Sequence, residues 1–217
     1  MIDGIEVAVD REAVVVAARE PLTVLSSAFV RGGLTTARAI VNLHVPKNLS
    51  QDAADGLLPR FAERRGIREP WVGLLTSAWT EKAEVAEASG PELSALAVVT
   101  VGLSNRVAAG ASPVALWAPS TINAIVVVDA APEPAALVNA VMTVTEVKTA
   151  LLAAAGVRCD DGRVASGTST DAVVVAATER GALCRFGGPI SDLGWVVARA
   201  TRTALGAGIR RWIEEHP

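Results

Sequence analysis

The sequence predicts an α+β fold, with a mixed, largely antiparallel sheet and helices packed on it in a single compact domain spanning residues 1–217. Three observations predict it. Hairpin patterns lie near both ends: Ile5–Val9 and Ala13–Ala17 flank the charged turn Asp10-Arg11-Glu12, and Ala172–Ala177 and Leu183–Phe186 flank Thr178-Glu179-Arg180-Gly181, so the sheet cannot be all parallel. Two central runs, Ser94–Leu103 and Thr121–Asp129, are apolar enough to lie inside a sheet. Two long helical patterns follow them. The chain has 217 residues, of which 51% are hydrophobic and 20% charged, enough for one domain with a full core.

Element by element, the first hairpin is followed by an extended segment at Leu22–Ser26 and a break at Gly32-Gly33. Ala39, Val41, Leu43 and Val45 then alternate with Arg38, Ile40, Asn42 and His44, the period of a strand with one apolar face. Ser50 suits the N-cap of a helix from Gln51 to Arg65 that Gly66 closes and Pro59 interrupts. Trp71–Ser77 reads as a strand and Glu81–Ser89 as a short helix. Pro134, a good first-turn residue, opens the longest helix, which Gly156 ends, and Ser191 caps a last amphipathic helix reaching Trp212.

Composition narrows the function. The net charge of -3 argues against nucleic acid as a partner, because phosphate contacts need clustered Lys and Arg. Residues 107–128 carry no charge, yet Pro113, Pro119 and several polar residues would leave backbone unsatisfied in hydrocarbon, so no membrane partner is expected. The start lacks the basic and apolar regions of a signal peptide, and Cys159 and Cys184 have neither ligand spacing nor disulfide density; a cytoplasmic setting and no metal site are expected.

No P-loop, dinucleotide fingerprint, HExxH or GxSxG is present. The chain offers polar clusters joined to apolar strands and helices instead: Val101–Asn105 with Ser104 and Asn105, Thr121 and Asn123, Asn139 with Thr143–Lys148, and Ser166–Asp171 with Thr168, Ser169 and Thr170. Such strand ends line sites because the sheet holds them rigidly. Ser104-Asn105, Thr121 with Asn123, and the run around Thr168 also have a plain reading as strand ends and turn formers.

At about 100° per residue, Leu137, Val141, Val144, Lys148, Leu151 and Leu152 share one helix face, which aims the Lys148 charge at the core. Asn139, Thr143 and Glu146 form an opposite stripe, so Glu146 and Lys148 cannot pair. A buried ammonium needs an ion pair or a polar cavity; otherwise its stem snorkels to solvent. His216 is next to last, which leaves His44, on one strand face with Asn42 and Arg38, for any histidine-dependent triad. Trp79 and Trp117 lie near the polar clusters and suit an aromatic wall.

Leu22-Thr23-Val24-Leu25-Ser26-Ser27 before Gly32-Gly33, Thr100–Asn105, Thr121–Asp129, Ala136–Asn139 through Thr145–Thr149, and Gly167-Thr168-Ser169-Thr170-Asp171-Ala172 occur in that order. Together they resemble the adenosylcobinamide amidohydrolase family, over residues 20–205. Each motif is weak alone and the ordered set is specific. The chain departs from the pattern at Ser120, where a glycine is expected, and at Arg106, where a smaller residue is commoner.

The resemblance implies hydrolysis of the amide joining aminopropanol to the corrin ring of adenosylcobinamide, giving adenosylcobyric acid and 1-amino-2-propanol. The partner is then a corrinoid small molecule whose cobalt belongs to the substrate, with no cofactor of the protein's own; a homo-oligomer is allowed. Amide hydrolysis needs an activated nucleophile, donors for the oxyanion and a proton for the leaving amine. Candidate catalytic residues are Glu146, Lys148 and Asp171. Two schemes stand: water activated by Glu146 or Asp171, which is preferred, or a Ser/Thr hydroxyl activated by Lys148. Asn42, His44, Ser104, Asn105, Thr121, Asn123, Asn139, Thr168, Ser169 and Thr170 are the substrate-binding candidates. The competing class is a non-catalytic corrinoid-binding protein on the same scaffold.

Overall fold

A computed structural model describes residues 2–114 and 121–216. Trp117 and Ser120 lie outside the described residues. In chain order the elements are β1 (Ile5–Val9), β2 (Ala13–Ser26), β3 (Gly33–His44), α1 (Gln51–Ala54), α2 (Leu57–Arg64), β4 (Trp71–Thr76), a 3-10 turn (Thr80–Lys82), β5 (Glu84–Ser89), β6 (Ser94–Val101), β7 (Arg106–Val107), β8 (Ile122–Val128), β9 (Ala131–Pro132), α3 (Pro134–Ala154), β10 (Gly167–Thr168), β11 (Ala172–Ala177), β12 (Leu183–Cys184) and α4 (Asp192–Glu215).

The α+β class and the mixed sheet are as the sequence predicts. The main sheet runs β4-β3-β2-β11-β8-β6-β5, with β1 paired to β2. Its β3–β4 and β8–β11 pairs are parallel and the others antiparallel. β4 and β8 stand four places apart in that order, about 19 Å in a flat sheet. Yet they touch, and Val72 and Leu74 of β4 share one buried cluster with Leu96 and Val98 of β6 and Ile125 and Val127 of β8. The sheet is therefore doubled over, its two halves packed face to face with Val14, Val16, Leu22 and Ile40 between them.

Helices cover both outer faces. Leu58 and Phe61 of α2 pack on Val41 and Leu43 of β3, while α3 and α4 pack on Ala97, Val99, Ala124, Val126 and Val175. Period two along β8 explains the arrangement: Ala124, Val126 and Val128 meet the helices, and Asn123, Ile125 and Val127 face the other half-sheet. By length and composition α3 would be able to cross a membrane; here it packs against α4 and β11.

Four expectations are corrected. Leu22–Ser26 is not a separate segment: β2 runs through it, with an irregularity between Ala17 and Leu22 where Pro21 has no N–H to offer the ladder. The predicted helix over Gln51–Arg65 is two short helices, divided at Gly56 with φ +80°. Glu81–Ser89 forms the 3-10 turn and then β5, because pairing with β6 under α4 overrides the helix propensity of its Glu and Ala residues. There is no C-terminal hairpin: β12 pairs parallel with β9, and β11 lies between β8 and β2. Glu179 and Gly181, with φ of 58° and 73°, turn the chain away from β11.

Candidate functional site

The doubling brings the C-terminal ends of β3, β4 and β6 to the same end of the molecule as the entries to β8 and β11. Polar residues gather there in two connected groups.

The first lies between the half-sheets. Asn123 donates through Nδ2 to Asn42 Oδ1 at 2.8 Å and to the Leu75 carbonyl at 3.0 Å, and Asn42 Nδ2 donates to Thr100 Oγ1 at 3.0 Å. All three side chains are buried, so this neutral seam is satisfied within the protein, as buried amides must be. Thr121 extends it: its hydroxyl donates to the Thr170 carbonyl at 2.6 Å and sits 3.1 Å from Asn123 Oδ1.

The second group lies on the helix side. Lys148 does not snorkel; its ammonium pairs with Asp171 Oδ2, and both side chains are 11% exposed. Asp171 also accepts the Thr168 N–H at Oδ2 (3.0 Å) and, at Oδ1, the Ile122 N–H (3.0 Å) and the Thr168 hydroxyl. Four donors thus converge on one carboxylate. Sequence dictates the close fit, because a Cβ on Gly167 would lie 2.4 Å from Asp171 Oδ2 and 2.8 Å from Lys148 Nζ. Gly167 is required for that approach.

The loop so fixed presents Ser169, Thr170 and Asp171 to a cleft of about 280 Å³ that Ser27, Phe29 and Leu75 also line. Asn105 Nδ2 reaches Ser169 Oγ at 2.5 Å, and Lys47 Nζ reaches Ser104 Oγ at 3.0 Å. His44 stacks on Trp79 with centroids 4.9 Å apart, and its Nδ1 lies 3.0 Å from the Ala78 carbonyl; since a carbonyl only accepts, Nδ1 carries the proton in that contact.

Of the residues singled out from sequence, the fold thus connects Asn42, Thr121, Asn123, Lys148, Thr168, Thr170 and Asp171, with Asn105 and Ser169 beside them and His44 and Ser104 flanking. It does not bring in two. Glu146 is exposed on α3, and Asn139, half-buried, lies nine residues before Lys148, about 13 Å along the helix axis. Thr143 leaves the predicted outer stripe because the 187–188 loop closes over it, with its hydroxyl 3.3 Å from the Gly187 carbonyl. Sequence reasoning missed Thr100 and Lys47. Thr100 continues the inward face of Leu96 and Val98, and Lys47 is one of only three lysines just past a strand end; both signals were present. Arg106, one of the departures, points away to Asp160 at 3.0 Å while its backbone pairs with Thr168, so it leaves the loop intact. Among the described residues no group of three or more His, Cys, Asp or Glu is placed to hold a metal ion.

The fold thus sets a buried amide seam and an ion-paired, glycine-gripped loop together at one end of a doubled mixed sheet. The chain belongs to the CbiZ, adenosylcobinamide amidohydrolase, family, whose pattern it matches over residues 1–217. It is 31% identical over 151 residues to the adenosylcobinamide amidohydrolase of Methanosarcina mazei, an alignment covering 68% of this chain and 66% of that protein, just under two thirds of its length. Among solved structures, it is similar to the PH0078 protein from Pyrococcus horikoshii OT3, with a TM-score of 0.49 and 15% identity over 97% of this chain and 80% of that one. A Burkholderia sp. β-aminopeptidase gives 0.45 and 14% over 93% and 78%.

Proposed function

We propose that this chain hydrolyses the amide between aminopropanol and the corrin ring of adenosylcobinamide, releasing adenosylcobyric acid and 1-amino-2-propanol for cobalamin biosynthesis by corrinoid salvage in the cytoplasm. The cobalt arrives with the substrate, and the protein uses no cofactor of its own. Family membership supports the substrate class. The observation that carries the chemistry is the convergence of Lys148 and Thr168 on Asp171 at the edge of the cleft.

That convergence favours a hydroxyl nucleophile over activated water, with Asp171 rather than Lys148 taking its proton. With four donors on its two oxygens, Asp171 is poorly placed to take a proton from a further water, whereas the Thr168 hydroxyl already points its proton at Oδ1. Glu146, exposed and outside the cluster, is not used. In this reading the Thr168 oxygen attacks the amide carbon and its proton passes to Asp171. Lys148, paired with Asp171, offsets the charge that develops. The proton then leaves on the amine, and water hydrolyses the resulting ester. Asn105, Ser169 and Thr170 and the loop backbone supply donors to the carbonyl oxygen.

The test is incubation of the purified protein with adenosylcobinamide, with chromatography for cobyric acid. Product is expected without added metal. Thr168→Ala should abolish it, Thr168→Ser should retain part of it, and mass spectrometry of the quenched protein should find a corrinoid ester on the loop. Binding without turnover would instead favour the non-catalytic reading, and full activity of Thr168→Ala would return the mechanism to activated water.

A further inference from the structure

A second cavity, of about 390 Å³, opens at the same end of the molecule and is not used by the mechanism above. It lies between the residues after β3, β4 and β6 and the C-terminal turns of α4, and Lys47, Ser77, Trp79, Ser104, Arg211 and Trp212 line it. Trp79 is 58% exposed although Ala78 and Thr80 on either side are buried, so a large apolar ring is held out by a rigid backbone. One face of the ring is backed by His44, which the Ala78 carbonyl fixes in turn. Exposed aromatic rings pinned in this way are platforms for flat heterocycles.

The charges around the cavity indicate which heterocycle. Arg211 is neutralised by Glu84, and Lys82 by Glu215 at 2.7 Å, a contact that also holds the Glu215 carboxyl below its usual range. Lys47 bonds the Ser104 hydroxyl and has no carboxylate partner among the described residues. The cavity therefore offers a stacking face and donors without an unbalanced cluster of cations, which suits a neutral, hydroxylated nucleoside better than a phosphate. His44 lies two residues from Asn42 on one strand face, about 7 Å away, so a ring on Trp79 is within one corrin's breadth of the amide seam.

Resting on the reading above that the substrate is adenosylcobinamide, we infer that this cavity is the subsite for the substrate's adenosyl group, with the adenine stacked on Trp79 and Lys47 donating to the nucleoside. The subsite would let the protein distinguish adenosylated corrinoids from those with a small upper ligand.

The experiment compares adenosylcobinamide with methylcobinamide for the wild type, Trp79→Ala and Trp79→Phe, following both turnover and equilibrium binding. Trp79→Ala should lower kcat/KM for the adenosyl form by about tenfold to a hundredfold, mainly through KM, and leave the methyl form within about twofold. Trp79→Phe should restore most of the loss. Free 5′-deoxyadenosine should compete in the wild type and not in Trp79→Ala. An equal loss on both corrinoids, or none on either, would overturn the assignment. Should the wild type turn over neither corrinoid, the proposed activity fails, and binding decides the subsite: the wild type must then prefer the adenosyl form and Trp79→Ala must lose that preference.

Discussion

The parallel strands β8 and β11 carry an aspartate–cation pair at each end, and the two pairs have little in common beyond their chemistry. Asp171, just before β11, meets Lys148 with both side chains 11% exposed, and backbone and hydroxyl donors complete its shell. Asp129, just after β8, meets Arg180 at 2.9 Å with side chains 34% and 43% exposed. In water the second pair is screened and contributes at most about 1 kcal/mol. The first has exchanged solvent for a fixed set of donors, so either partner is costly to remove alone, at about 3–5 kcal/mol. One end is tied off at the surface; at the other, fixed protein donors take the place of water around the carboxylate.

Breaking the buried pair should have the largest effect. Lys148→Met leaves a buried carboxylate without its cation. It should lower turnover at least about a hundredfold and, contrary to what the helix pattern alone suggests, destabilise the fold by about 3–5 kcal/mol in urea titration. Adding Asp171→Asn should recover much of the stability and none of the activity; a stable, active Lys148→Met protein would show that the pair is needed for neither fold nor reaction.

Gly167→Ala comes next, since its methyl would meet the pair at 2.4 and 2.8 Å. About 1–3 kcal/mol of stability should be lost, with turnover falling alongside as the loop shifts. Asn123→Ala removes the donor to Asn42 and Leu75, and chemical denaturation should show a loss of about 1–3 kcal/mol from the unsatisfied partners. His44→Ala, stacked beside the seam, should cost about tenfold in turnover; a loss near 10⁴ in a folded protein would make it part of the reaction. At the other end of the strands, Asp129→Asn should change stability by about 1 kcal/mol or less and leave turnover unaltered, and Glu146→Gln should be equally silent. Loss of activity in Asp129→Asn would mean that the two ends are coupled, and in Glu146→Gln that this exposed carboxylate near Lys148 takes part in the reaction.

Much of this was legible in the sequence because it depends on local pattern. Periodicity placed β6, β8, α3 and α4, the helix phase aimed Lys148 inward, and the glycine-hydroxyl run marked the loop that grips Asp171. Asn42 was readable as a strand residue with a polar face, but its partner was not, since 81 residues separate it from Asn123.

What the sequence by itself determined is thus the class of fold, the family and the inward charge on α3, all set by intervals of a few residues or by ordered motifs. Only the tertiary structure decided that the sheet doubles over, that Glu84–Ser89 is a strand, that Leu183–Cys184 joins β9, and that Lys148 belongs to Asp171 while Glu146 belongs to solvent. Those outcomes depend on which surfaces a strand or helix finds to bury itself against. Pairing and burial act across the whole chain, and neither is encoded in the spacing of neighbouring residues.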